Sequence, residues 1–150
     1  MVETLETQTI VSRGWSILTL AGNDEGLRPY HGFIYQTWLR SLKYGNGWFD
    51  DIDTDTYYQV YDDVIKRIMN RPNTQFKLAV LPDDFDILLG WACFEGDALH
   101  YVFVKQEIGA RNQGIATSLV PRDITTVTHL TKVGRRIWKK HKNIIFNPFR

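Results

Sequence analysis

The stretch from Leu99 to Leu119 constrains the fold of this chain more than any other. It opens with Tyr101–Val104, an aromatic and β-branched run that is typical of a buried strand. A polar turn around Gly114 follows, and the small residues of 115–119 predict the start of a helix. A strand that leads through a glycine-containing loop into a helix often binds a phosphate, because the free N–H groups of the first helical turn and the helix dipole both attract an anion.

Hydrophobic periodicity along the rest of the chain predicts an α/β (α+β) fold with a mixed, mostly antiparallel central sheet flanked by helices. We expect one domain over 9–146, tails at 1–8 and 147–150, and a right-handed crossover around the helix that follows Gly114. In chain order the predicted elements are a strand (9–20), two helices (28–44 and 53–69), three strands (76–81, 87–94 and 99–104), a helix (114–121), a strand (125–131), a basic helix (133–141) and a short strand (144–146).

Composition narrows the class of protein. The chain has 150 residues, 43% of them hydrophobic, which suits a globular domain rather than a disordered one. No apolar run approaches the roughly 20 residues of a membrane helix, and the acidic N-terminus lacks the pattern of a signal peptide. The single Cys93 lies in an apolar segment, which favours a core thiol in a reducing compartment, so we expect a cytoplasmic protein.

Charge is unevenly distributed. From Pro121 onward the sequence carries eight Lys and Arg residues against Asp123 alone, a net charge of +7, while the whole chain carries +1. Three interpretations remain open: a solvated helix face, a surface for nucleic acid or another polyanion, or attraction of an anionic cofactor.

The residues Arg111-Asn-Gln-Gly-Ile-Ala116 match the acyl-CoA loop pattern of Gln or Arg, two residues, Gly, one residue, then Gly or Ala. With its place after an apolar strand and before a helix, and with the order of elements, the chain resembles the GNAT superfamily of N-acetyltransferases. The departures from the family pattern imply a small, trimmed member, of a kind that occurs among phage-encoded proteins.

The resemblance implies acetyl-CoA, or another acyl-CoA, as the donor. Its pantetheine arm would pair with the backbone of Val102, Phe103 and Val104, where the strand splays from residues 128–130. Glycine at 114 lets the backbone approach a pyrophosphate, and neighbouring amides form an anion-binding concavity. The implied cofactor-binding loop residues are Arg111, Asn112, Gln113, Gly114, Ile115 and Ala116. No metal site is predicted.

Direct attack by an amine on a thioester requires a proton acceptor. His129, in the strand expected across the gap, is the first candidate, followed by His100 and Glu95. A hydrogen-bonded sheet histidine, and a glutamate that serves only the hairpin turn, are the structural alternatives. Many family members place a tyrosine acid on the last helix, where this chain has Trp138, and an indole N–H is no acid at neutral pH.

The family lines its acceptor site with the segment between the first two helices. Here Trp48, Phe49, Asp50 and Asp51 would suit a cationic amine, unless the aromatic residues are core and the aspartates only cap a helix. The partners expected are an acyl-CoA donor and an amine acceptor on a small molecule, a protein or a nucleic-acid base, with a homodimer left open and no membrane. The alternatives to an enzyme are a noncatalytic CoA-binding module and a nucleic-acid-directed protein that uses the basic C-terminal helix.

Overall fold

One six-stranded sheet, in the order β1-β2-β3-β4-β5-β6, organises the computed structural model, which describes residues 14–45, 47–105, 114–131, 134–135, 138–139 and 143–150. The strands from β1 to β4 are antiparallel neighbours, whereas β5 runs parallel to β4 and β6 parallel to β5. This arrangement confirms the predicted mixed, mostly antiparallel sheet. The strands are β1 (Ser16–Ala21), β2 (Thr74–Leu81), β3 (Asp84–Glu95), β4 (Ala98–Val104), β5 (Thr126–Val127) and β6 (Ile145–Phe146).

The helices in the described residues begin and end where local signals place them. Helix α1 (Arg28–Tyr44) has proline in its first turn, and helix α2 (Thr54–Met69) is capped by Asp53, whose carboxylate accepts a hydrogen bond from the Thr56 N–H. Helix α3 (Ile115–Leu119) is short, as Pro121 predicts. Two 3-10 helices, Glu25–Leu27 and Gly47–Asp51, occupy stretches that lie between predicted elements.

The sheet buries a hydrophobic cluster on each face. The larger cluster lies under α1 and α2, where Trp38 packs against Trp91 and stacks on Tyr101. The smaller cluster lies under α3 and includes Leu89 and Leu119. Cys93 is fully buried in the larger cluster, and burial raises the pKa of its thiol well above the usual value, in agreement with a core thiol.

Several boundaries differ from the prediction, most of them by one or two residues. The strand predicted over 125–131 is limited to Thr126–Val127, because the chain leaves β4 after two paired residues. The turn predicted over 82–86 is shorter, since β3 already begins at Asp84. The first strand is observed over Ser16–Ala21, and the predicted strand residues 9–13 lie outside the described residues, as does most of the basic helix.

No helix within the described ranges is both long and apolar enough to cross a membrane.

Candidate functional site

Strands β4 and β5 separate after a short paired segment. Ala98 pairs with Thr126 and Leu99 with Val127, and the Thr128 N–H then donates to the Leu99 carbonyl at 3.1 Å. The next residue along this strand is His129, so the divergence of the two strands begins at His129. Beyond it, no strand of the described chain pairs with the outer edge of β4 from Val102 to Val104.

Alternation along β4 determines which backbone groups face that open edge. The Lys105 N–H donates to the Leu89 carbonyl at 2.9 Å, and Phe103 lies opposite Trp91, so the backbone groups of Phe103 and Lys105 point toward β3. The N–H and C=O groups of Val102 and Val104 therefore point the other way. Of the three strand residues predicted to pair with a cofactor, these two present their backbone to the gap.

Gly114 has a backbone conformation that explains its presence before α3. It is the N-cap of the helix with φ 88°, in the left-handed region that favours glycine, while a Cβ at this position would meet no atom of the described residues within 4 Å. The backbone rather than crowding therefore requires glycine here. Ala116 is exposed and Ile115 is 2% exposed, so the Ile115 side chain belongs to the core. Arg111, Asn112 and Gln113 lie outside the described residues.

The three candidate proton acceptors belong to one hydrogen-bonded series, here called the polar relay, formed by Glu95, His100, Thr128 and His129. The Nε2 atom of His100 lies 3.1 Å from Glu95 Oε1, and its Nδ1 lies 2.9 Å from Thr128 Oγ1. Thr128 Oγ1 in turn lies 2.9 Å from His129 Nδ1. A register shift between Cys93 and Phe94 makes His100 the extra residue of a bulge in β4, which brings its fully buried ring to the relay.

The charge of Glu95 sets the direction of the relay. Burial would raise the pKa of Glu95, but hydrogen bonds from His100 and Arg71 outweigh burial and hold the pKa below its usual value. The ionised carboxylate accepts from His100 Nε2–H, so His100 Nδ1 accepts from the Thr128 hydroxyl. Thr128 Oγ1 then accepts from His129 Nδ1–H, which leaves Nε2 of His129 as the basic nitrogen.

Both histidines are neutral at pH 7. Burial lowers the pKa of His100, and Glu95 offsets only part of that effect. Burial, followed by the proximity of His100, lowers the pKa of His129 to about 4, although a hydrogen bond to the His100 backbone acts in the opposite direction. His129 is half-buried, with its ring edge-on to Trp38 and Tyr61.

A cleft of about 890 Å³, hereafter "the cleft", opens beside His129 between α1, α2, the segment after β5 and the C-terminal residues. Its side chains are mostly aromatic, aliphatic and cationic, with the hydroxyl groups of Thr128 and Thr131 among them. They include Phe49, Tyr61, Arg67, Arg71, His129 and Arg135.

The C-terminal residues expected as a tail form part of the cleft wall. The Asn147 N–H donates to the Val127 carbonyl at 2.9 Å, and Arg150 Nη1 donates to Asp97 Oδ1 at 3.0 Å. Arg71 Nη1 donates to the Arg150 carbonyl at 2.7 Å and to Glu95 Oε1 at 3.1 Å, so the same guanidinium joins this segment to the polar relay.

The predicted acceptor residues separate in the structure. Phe49 is buried against Tyr57 and Tyr61 and also lines the cleft. Asp50 and Asp51 are exposed and do not line it, and the Trp48 side chain lies outside the described parts of the chain.

Trp138 makes a structural contact. Its Nε1–H donates to the Ile144 carbonyl at 2.8 Å, and its ring packs edge-on against Phe146. The sequence did not predict that the side chains of Thr128 and Arg71 belong to the site. The adjacency of Thr128 to His129 is a weak signal, and no pattern in the sequence singles out Arg71.

Comparison with known proteins identifies the fold. No protein-family model and no curated protein matches the chain. A solved structure named "Putative acetyl transferase from Pyrococcus furiosus" is similar over 89% of this chain and 81% of that chain, with a TM-score of 0.55 and 14% sequence identity. An aminoglycoside acetyltransferase from an uncultured soil metagenomic sample, solved in complex with trehalose, covers 91% of this chain and 78% of that chain with a TM-score of 0.42 and 14% identity.

The likeness to the first of these structures, together with the sheet topology, defines the class: the chain has an acetyltransferase-like fold. At 14% identity the likeness concerns the fold alone. It bears neither on a phage origin nor on a substrate.

Proposed function

We propose that this protein is an acyl-CoA-dependent N-acyltransferase of the GNAT type, which transfers an acyl group, acetyl in the first instance, to a primary amine. The observation that carries the proposal is the divergence of β4 and β5 at His129, which leaves the backbone of Val102 and Val104 without a strand partner among the described residues, while His129 itself lines the cleft. An open strand edge offers both donors and acceptors to a ligand that carries amides. The pantetheine arm of CoA is such a ligand.

The groups of the chain divide the work between donor and acceptor. Val102 and Val104 would pair with pantetheine, and the N–H of one of them would donate to the oxygen of the thioester carbonyl as negative charge develops there. The start of α3 at Gly114, with Arg111 to Gln113 before it, would hold the pyrophosphate. Backbone amides suit both tasks because they need no reorganisation during the reaction.

His129 is our candidate for the group that receives the proton of the amine. The neutral form of the amine would attack: its nitrogen would form a bond to the carbonyl carbon as it gives a proton to His129, the carbon–sulfur bond would break, and the thiolate would take up the proton that His129 received. A pKa near 4 makes His129 a weak base, but its imidazole is neutral and therefore available at pH 7. An amine that has begun to form the new bond is acidic, so a weak, correctly oriented base suffices.

Calorimetry with acetyl-CoA tests the donor half of the proposal. We expect binding by the wild-type protein, and weaker binding by Gly114→Val, because the added side chain strains a left-handed backbone and crowds the expected pyrophosphate position. Gly14→Val is the matched control, since Gly14 also has a positive φ, 76°, and open space around its Cβ. Equal loss of affinity in both variants, or no binding by the folded wild type, would contradict the proposal.

Thiol release over a panel of amines tests the chemical half. Binding of acetyl-CoA without thiol release from any amine would favour a noncatalytic module, an alternative that also fits the presence of Trp138 where the family resemblance implies a tyrosine acid. Steep salt dependence of RNA or DNA binding would favour a nucleic-acid acceptor.

A further inference from the structure

The charged side chains that line the cleft are all cationic. Among the described residues they are Arg67, Arg71, Arg135 and Arg150, and neither an aspartate nor a glutamate lines the cleft. In the sequence, the stretch 132–142 that contains Arg135 has six Lys and Arg residues and no acidic residue. A concave surface with charges of one sign concentrates ligands of the opposite sign.

Three of these arginines already have partners. Arg67 pairs with Asp63, Arg71 with Glu95, and Arg150 with Asp97. Arg135 differs because, within the described part of the chain, its guanidinium has no hydrogen-bond or ion-pair partner, while its backbone N–H donates to the Thr131 carbonyl at 2.8 Å. Its five N–H donors are therefore available to a ligand.

Part of the cleft wall is apolar. Phe49 and Tyr61 pack edge to face, with Val64 and Ile68 beside them on the same lining. Such a wall takes an aliphatic or aromatic body, whereas the arginines take an oxyanion. Asp50 and Asp51, the carboxylates that we expected to attract a cationic amine, both lie outside the cleft.

We propose that the amine acceptor carries an oxyanion group, a carboxylate or a phosphate, on an apolar body, and that Arg135 binds this group in the cleft with His129 at the amine. This inference rests on the proposed function, since it names the class of acceptor for the same site. Arg67 lies on the same lining and adds positive charge, although its ion pair with Asp63 occupies part of its guanidinium.

Matched acceptors test the inference in a thiol-release assay with acetyl-CoA. One pair is para-(aminoethyl)benzoate and its amide, which place the anion far from the amine, and a second pair is phenylalanine and its amide, which place it close. Tyramine phosphate against tyramine separates a phosphate from a carboxylate preference. We expect an anionic member to exceed its neutral partner in kcat/KM by about tenfold or more, the scale of a charge-assisted hydrogen bond.

Arg135→Gln isolates the residue. We expect it to reduce the ratio of anionic to neutral kcat/KM roughly tenfold, because intrinsic differences in amine reactivity cancel in that ratio. Arg40→Gln, on the exposed side of α1 and outside the cleft, is the matched control and should leave the ratio unchanged. The inference would be overturned if neutral amines had the same kcat/KM as their anionic partners, or if Arg135→Gln did not change the ratio. Either result would leave the acyltransferase proposal intact.

A binding measurement decides the inference where no amine supports turnover. Calorimetry of the N-acetyl derivatives of the same benzoate and amide needs no acyl-CoA. Tighter binding of the anion by the wild type, lost in Arg135→Gln and kept in Arg40→Gln, would support an anion-selective cleft even if acetyl-CoA does not bind and the proposed function fails. Equal or absent binding of the two derivatives would overturn it.

Discussion

The titration of His129 offers a quantitative test of the site. In the folded protein its pKa is about 4, compared with an ordinary value of 6.5, because burial and, after it, the proximity of His100 disfavour the charged imidazolium. The unfolded chain therefore binds this proton more tightly, and acid favours unfolding. The destabilisation begins as the pH falls below 6.5 and is complete below about 4. The difference between the two pKa values corresponds to roughly 3 kcal/mol over that window.

The comparison of the wild type with His129→Gln isolates this contribution. Glu95, Asp62 and Asp97 have lowered pKa values and also lose their stabilisation in acid, so the wild-type curve alone is ambiguous. We expect urea unfolding at several pH values to show the difference in unfolding free energy between the two proteins shift by about 3 kcal/mol from pH 7 to pH 4, in favour of the variant. Parallel curves, or an NMR titration of the His129 ring near 6.5, would refute the reasoning.

Two further changes test the sheet and the polar relay. Gly90→Ala would place a Cβ 2.7 Å from the Phe103 carbonyl oxygen and push β4 from β3, so we expect a loss of about 1–3 kcal/mol in thermal unfolding. Gly32→Ala, in α1 with nothing within 4 Å of the added Cβ, is the control and should stabilise by about 0.5–1 kcal/mol; equal effects would contradict the close approach. Thr128→Val removes the hydroxyl between two histidines, so we expect it to lower the free energy of unfolding in urea by about 1–3 kcal/mol. An unchanged free energy of unfolding would show that the relay contributes nothing to stability.

Local signals in the sequence predicted most elements of the fold. Pro29, Asp53 and the apolar faces of α1 and α2 fixed both long helices, because caps and periodicity act within a few residues. The length of β5 could not be predicted in this way. Residues 125–131 are rich in β-branched side chains, but their extension as a strand depends on whether β4 continues beside them, and the two chains separate after Val127.

The candidate site follows the same division. The three proton acceptors could be proposed singly from residue type, yet nothing in the sequence joins Glu95 to His129, which lie more than thirty positions apart. A bulge in β4 and the pairing of Thr128 with Leu99 bring them into one series of hydrogen bonds. The anionic preference inferred for the cleft likewise depends on which side chains the fold brings together around it.

Glu95 should control the tautomer of His129 from the far end of that series. Its carboxylate can only accept, so it fixes the proton of His100 on Nε2 and, through Thr128, the proton of His129 on Nδ1. Glu95→Gln replaces one acceptor with an amide that also donates, which removes the constraint on direction. We expect nitrogen NMR shifts of His129 to show a mixture of tautomers, with a lower kcat and an unchanged affinity for acetyl-CoA.

Asp97→Asn is the control for this prediction. Asp97 is a neighbouring carboxylate that accepts hydrogen bonds from Thr125 and Arg150 but takes no part in the relay. It should therefore leave the His129 tautomer unchanged. If Glu95→Gln also leaves His129 with its proton on Nδ1, the direction of the relay is set locally by Thr128 and the His100 backbone, and Glu95 serves the hairpin and its ion pair with Arg71 alone.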